Sequence, residues 1–89
     1  MQFDFDPVKS HLNFLKHGFD LAFAQHLEWG EALIWTDLRR SYFEVRMSCF
    51  VPRDQQLFFV AFVDRGSVRR IISLRKANSR ELKRYVENT

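Results

Sequence analysis

The sequence predicts an α+β fold with the element order β-α-α-β-β-β-β-α. Apolar residues recur at helical spacing near the start of the chain. From residue 32 to residue 74 the pattern changes to period two, and a capped cationic segment then closes the chain.

Residues 2–5, QFDF, alternate polar and apolar and predict a short first strand. Asp6-Pro7 starts a helix: the Asp side chain caps free N–H groups, and Pro at the first helical position gives up no needed donor. Val8, Leu12 and Leu15 follow at helical spacing as its inner face, and Lys16, His17 and Gly18 mark its end. Asp20 caps a second helix with Leu21, Ala24 and Leu27 inward and Phe23 close by, and Gly30 ends it. Residues 32–37 read as a strand and 38–40 as a tight connection. In the strand 41–50, Phe43, Val45, Met47 and Cys49 share one face, with Tyr42, Glu44, Arg46 and Ser48 on the other. A turn at 51–55 leads to LFFVAFV, 57–63, which is apolar on both faces and predicts a central strand covered on both sides. After a hairpin turn at 64–66, residues 67–74 form a further strand, and Asn78 or Ser79 caps the last helix.

Eighty-nine residues support one domain, 1–89. A hydrophobic content of 46%, with ten Phe and two Trp, supplies a core and argues against disorder. No run approaches the roughly 20 apolar residues of a membrane span. The opening MQFDFDPVKS has acids where a secretory leader has cations and an apolar stretch. The single Cys49 has no partner for an internal disulfide, which fits a reducing cytoplasm.

The distribution of charge says more than its net value of +3. Residues 65–85 hold eight Arg or Lys against Glu81 alone, or +7, leaving six cations and ten acids, or −4, elsewhere. Such asymmetry is the electrostatic footprint of a polyanion-binding surface; a solvated basic helix is the plainer alternative. Alternation over 68–76 sets Val68, Arg70, Ile72 and Leu74 on the core face. Arg69, Ser73 and Arg75 then lie together on an open face, where Arg46 and Tyr42 join them. A register slip of one residue inverts that assignment.

Two blocks of residues resemble a known family. Phe5, Asp6, Pro7, Lys9, Asn13, Lys16, His17, Gly18 and Phe23 follow the opening pattern of the BrnT-type toxins of bacterial toxin–antitoxin pairs. The stretch VDRGSVRRIISLRKANSRELKRY, 63–85, is similar to that family's Arg-Gly turn, Arg-Ile-Ile-Ser strand, Arg-Lys-Ala junction and Arg-rich helix with Tyr. Phe5 stands where the family usually has Trp, Leu74 where it usually has Ala, and the middle, 28–56, matches only in its strand pattern. The resemblance implies a RelE-like fold: a small, mostly antiparallel sheet with two helices before it and one after. It implies an endoribonuclease that works without metal or cofactor, restrains translation and growth, and is neutralised by a BrnA-type antitoxin in a hetero-oligomer. Operator DNA is then reached only through the antitoxin.

Metal-free RNA cleavage needs a base for the 2′-hydroxyl, cations for the charged phosphorane and an acid for the 5′-oxygen. His11, His17 and His26 have no metal-ligand spacing with Cys49, and no carboxylate pair stands out. His17 is the candidate base, and a dipole-complementing residue at a helix end is its plainer reading. Arg75, Lys76 and Arg65 are the candidate cations. Arg75 and Lys76 point to opposite faces unless the strand ends before them, and Arg65 equally suits holding its hairpin. Lys16, Arg69, Ser73, Arg80, Lys83 and Tyr85 are candidate RNA contacts, Tyr85 by stacking on a base. Trp29 and Trp35 read as packing or interface residues. A non-catalytic RNA-binding or antitoxin-docking module of the same fold is the competing reading. A DNA-binding regulator ranks below both, since no helix-turn-helix pattern appears.

Overall fold

The computed structural model describes residues 1–39 and 43–89. Its elements are strand β1 (Gln2–Asp4), helix α1 (Pro7–His17), 3-10 helices Leu21–His26 and Trp29–Glu31, strands β2 (Leu33–Thr36), β3 (Met47–Arg53), β4 (Gln56–Arg65) and β5 (Val68–Lys76), and helix α2 (Ser79–Glu87). The strands form one sheet in the order β1-β5-β4-β3-β2; β1 runs parallel to β5 and the other pairs are antiparallel. The result is the α+β architecture expected of a RelE-like protein, with β4 at the centre as its two-sided apolar pattern predicts. No described helix is long and apolar enough to cross a membrane.

Local chemistry sets the helix ends. Asp6 accepts hydrogen bonds from the Val8 and Lys9 amides, and Gly18, at φ +84°, closes α1 with its N–H on the Phe14 carbonyl. Leu21, Ala24 and Leu27 are buried as expected, but their spacing of three belongs to a 3-10 helix, capped by Asp20 on the Phe23 amide. The second predicted helix is therefore two short 3-10 segments.

Helix α1 overturns the expected orientation. Val8, Leu12 and Leu15 are exposed, while Ser10 and Asn13 are buried. The Asn13 amide donates to the carbonyls of Phe19 (2.7 Å) and Leu74 (2.8 Å), and its oxygen accepts from the Leu74 N–H (3.2 Å). Ser10 Oγ accepts from the Leu21 N–H at 2.8 Å. The reason lies in β5. The short β1 pairs only with Val68–Arg70, so the later edge of β5 needs other partners, and Asn13 satisfies it at Leu74. The helix docks through hydrogen bonds and turns its apolar row outward.

Two further expectations are corrected. Strand β3 starts at Met47, not 41, and runs through Pro52, so the turn shrinks to Asp54-Gln55 with Asp54 at φ +53°. Phe43 and Val45 are exposed, Arg46 lies before the strand, and Arg40, Ser41 and Tyr42, including the outward placing of Tyr42, fall outside the described residues. The connection from β2 is longer than a tight turn because β2 ends at Thr36, opposite Met47, where the Asp37 N–H meets the Arg46 carbonyl.

The second correction concerns β5. Ala61 pairs with Ser73 and Phe62 with Ile71, so Ile72 is the extra residue of a β-bulge. Alternation reverses there. Leu74 and Ile71 both join the core on the α1 side, with Val60, Phe62, Cys49 and Leu21. Arg70 takes the face of Ser73 and Arg75, and Arg69 goes to the opposite face. Burial in this core pushes the Cys49 thiol up to about 12, so it stays an inert apolar filler.

Candidate functional site

On the face away from α1, the sheet presents an aromatic floor. Trp35 meets Phe50 with ring centroids 4.8 Å apart, and Phe50 and Phe59 stand 6.1 Å apart. Helix α2 crosses one side of this floor and leaves a cleft of about 480 Å³, walled by Trp35, Phe50, Phe59, Arg75, Glu81 and Arg84. Two guanidinium groups cover the rings: Arg75 lies 4.5 Å above Phe59, and Arg84 lies 4.9 Å above Trp35 and 5.8 Å from Phe50.

The junction of β5 and α2 holds this geometry. Asn78 accepts from the Glu81 N–H at 2.8 Å, and Glu81 accepts from the Asn78 N–H at 3.0 Å, a reciprocal capping box. The same Glu81 carboxylate accepts both Arg75 terminal nitrogens, at 2.8 and 2.9 Å. Arg75 thereby holds the Glu81 carboxyl below the usual range, against the opposing effect of burial, and its own basicity rises in return. Arg84, one turn beyond Glu81, faces the floor. The cleft thus carries an immobilised Arg75–Glu81 pair beside an Arg84 that stacks on Trp35.

The predicted site residues divide. Arg75 lines the cleft, and Ser73 shares its face through pairing with Ala61. Strand β5 continues through Lys76, so Lys76 turns to the other side. There it lies 5.9 Å from the Phe19 ring, in a separate hollow with Phe23 and Phe58. Arg69 is also on the α1 side, over Phe62 (4.1 Å) and Trp29 (4.8 Å), and is paired with Asp64. Arg65, at the other end of the β4–β5 hairpin, makes a two-pronged bond to Glu44. Tyr85 donates its hydroxyl to the Glu31 carbonyl at 2.7 Å, tying α2 to the second 3-10 segment. Burial, then Glu31 and Glu28, raise its pKa. Arg80 and Lys83 are exposed on α2, and Lys16 is exposed on α1.

His17 ends α1 half-buried, outside the cleft walls but close enough to Arg75 to feel its charge. Burial, then Lys16 and Arg75, lower its pKa from the ordinary value, which favours the neutral imidazole. Trp35 and Arg84 were not singled out as contacts from the sequence. The available signal was helical: Glu81, Arg84 and Asn88 share one face of α2, but nothing local tells that this face meets Trp35. Among the described residues, no group of three or more His, Cys, Asp or Glu side chains is placed to hold a metal.

Comparison with protein-family models matches residues 5–81 to the family described as ribonuclease toxin, BrnT, of type II toxin–antitoxin system. A comparison with curated proteins finds no match.

Proposed function

Because the chain belongs to the BrnT family of ribonuclease toxins of type II toxin–antitoxin systems, we propose that it is a metal-independent endoribonuclease whose RNA substrate lies in the cleft between the sheet and α2. One observation carries this reading: in one cleft the guanidinium groups of Arg75 and Arg84 lie over three aromatic rings, with Arg39 also on its wall. Aromatic faces stack unpaired bases, and arginines grip phosphate through paired N–H groups, so this combination suits single-stranded RNA.

In this mechanism Arg75 exchanges the Glu81 carboxylate for the oxygens of the scissile phosphate and stabilises the charge that develops on them. The scissile phosphate lies at the rim of the cleft beside the end of α1, where His17, which feels the charge of Arg75, takes the proton of the 2′-hydroxyl. The 2′-oxygen bonds to phosphorus, the bond to the 5′-oxygen breaks, and that oxygen takes a proton from solvent. The products are a 2′,3′-cyclic phosphate and a 5′-hydroxyl. Arg84 and Trp35 hold a flanking base, and Ser73 contacts the backbone. Lys16, Arg65, Arg69, Lys76, Arg80 and Lys83 enter this reading as steering charge rather than as chemistry, and Tyr85 as an anchor of α2. The domain acts in the cytoplasm, restrains translation, and is neutralised in a hetero-oligomer with its antitoxin, which alone carries the contact to operator DNA.

The test is purified protein incubated with RNA in EDTA, followed by analysis of the new ends. Cyclic phosphate ends, abolished by His17→Ala and Arg75→Ala in folded protein, are expected. Cleavage only with added Mg²⁺ rules the mechanism out, and RNA binding without cleavage selects the non-catalytic module instead.

A further inference from the structure

The outward face of α1 has no use in the cleft, which lies on the other side of the sheet. Val8, Leu12 and Leu15 are 69%, 57% and 66% exposed. At 100° per residue they form one row along the helix. Soluble proteins rarely expose such a contiguous row without a partner. The helix gains nothing from it at home, since Ser10 and Asn13 already fix α1 to the fold. Lys9 and Lys16 run along one flank of the row. Along the other, Phe14, with Phe5 and Pro7, walls a hollow of about 440 Å³.

We propose that this face is the docking site for an amphipathic helix of the antitoxin, one whose apolar row covers Val8, Leu12 and Leu15 and whose acidic edge meets Lys9 and Lys16. The proposal rests on the toxin–antitoxin reading above and adds where the partner is held. Charge selects this occupant over a second copy of the chain. Antiparallel self-pairing sets Lys9 against Lys16, and parallel pairing sets the lysines against a flank carrying His11 and Phe14, where the carboxylate lining the hollow, Asp20, is already engaged as the cap of the Phe23 amide. Docking here holds the partner on the side of the sheet opposite the cleft, so affinity and RNA cleavage are separable.

The experiment measures calorimetric affinity of the purified cognate antitoxin for the chain, alongside RNA cleavage. Leu12→Asp with Leu15→Asp is expected to weaken binding at least about 100-fold. Cleavage and thermal melting should stay unchanged, so that expression of the double variant arrests growth even with antitoxin present. Lys9→Glu is expected to weaken binding roughly 3- to 10-fold, with the loss shrinking as salt rises. Leu12→Gln, a milder change, serves if the double variant melts early, with a loss of roughly 10-fold expected. Antitoxin affinity within about threefold of wild type in the variants overturns the docking face. So does self-association, or co-flotation with anionic vesicles, that Leu12→Asp abolishes while antitoxin affinity holds. Failure of the wild-type chain to bind any antitoxin sinks the toxin–antitoxin reading itself, which is a different outcome.

Discussion

Arg69 and Arg75 stand on one strand, and each combines a two-pronged carboxylate bond with an aromatic ring, yet they have opposite uses. Arg69 lies over Phe62 and Trp29 on the packed side, with its side chain 12% exposed and Asp64 as its partner. Arg75 lies over Phe59 at the open cleft, with its side chain 34% exposed and Glu81 as its partner. The same chemical group seals a core at one end of β5 and lines an open cleft at the other, where the proposed RNA would lie. What separates them is Ile72, the extra residue of the bulge. With Ile72 paired in a regular ladder instead, Arg69, Ser73 and Arg75 would share a face, as plain alternation expects.

Inserting one alanine between Ala61 and Phe62, opposite Ile72, is the most severe way to break the comparison. The ladder then becomes regular with Ile72 paired, which sends Arg69 to the cleft side and takes Ile71 and Phe62 out of the core. A loss of about 4 kcal/mol or more is expected, enough to unfold a domain this small. Thermal melting by circular dichroism checks it, and an insertion variant that melts like wild type breaks the bulge account.

Arg75→Ala comes next. RNA cleavage should fall by roughly 100- to 1,000-fold, as when a group aimed at developing charge is removed. The melting temperature should drop by only a few degrees, since the pair it leaves is partly solvated. Trp35→Leu and Arg84→Gln test the rest of the cleft: RNA affinity should fall by roughly 5- to 150-fold in the first case, from lost stacking, and less in the second. Filter binding at fixed salt reads both. Cleavage untouched by all three changes moves the RNA away from this face.

The bulge also marks the limit of what was legible in the sequence. Element order, the Asp6-Pro7 start and Gly18 stop of α1, the buried Leu21, Ala24 and Leu27, and the central β4 all follow from local pattern and appear as expected. The errors occur where the deciding partner is far along the chain. Asn13 turns α1 over because it bonds to Leu74, 61 residues away, and no periodicity within 7–17 encodes that partner. Arg84 meets Trp35 across the sheet for the same reason. The bulge is different: a single inserted residue leaves composition and hydrophobicity unchanged, and only the pairing with β4 exposes it. Arg75 was within reach because a cation at a strand–helix junction is visible locally. Its separation from Lys76 needed the last residue of β5.

Arg69→Met sharpens the contrast from the other side. It keeps much of the apolar stem against Trp29 and Phe62 but removes the guanidinium, so stability should fall by about 1–3 kcal/mol while RNA cleavage by the folded fraction is unchanged. Urea unfolding and a cleavage assay on the same sample check both halves. A variant that is stable but inactive would put Arg69 in the RNA site and erase the distinction between the two arginines.

The smallest expected effect concerns the carboxylates that hold these cations. Arg75 depresses the Glu81 pKa in the folded chain, chiefly through its hydrogen bonds, so the folded state gives up that proton more readily than the unfolded chain does. The stabilisation is therefore full above the ordinary Glu value of about 4.3 and is lost as pH falls through the depressed folded value. Glu44 is shifted in the same direction by Arg65, but the pair is more exposed than Arg75–Glu81, so water screens it and the linked stability is small. Urea unfolding at pH 7 and at pH 3 should show Glu81→Gln losing less stability on acidification than wild type, with Glu44→Gln close to wild type. Equal acid sensitivity in the two variants would mean that the junction of β5 and α2 is as solvated as the tip of the hairpin, and that Arg75 is no better positioned for phosphate than Arg65.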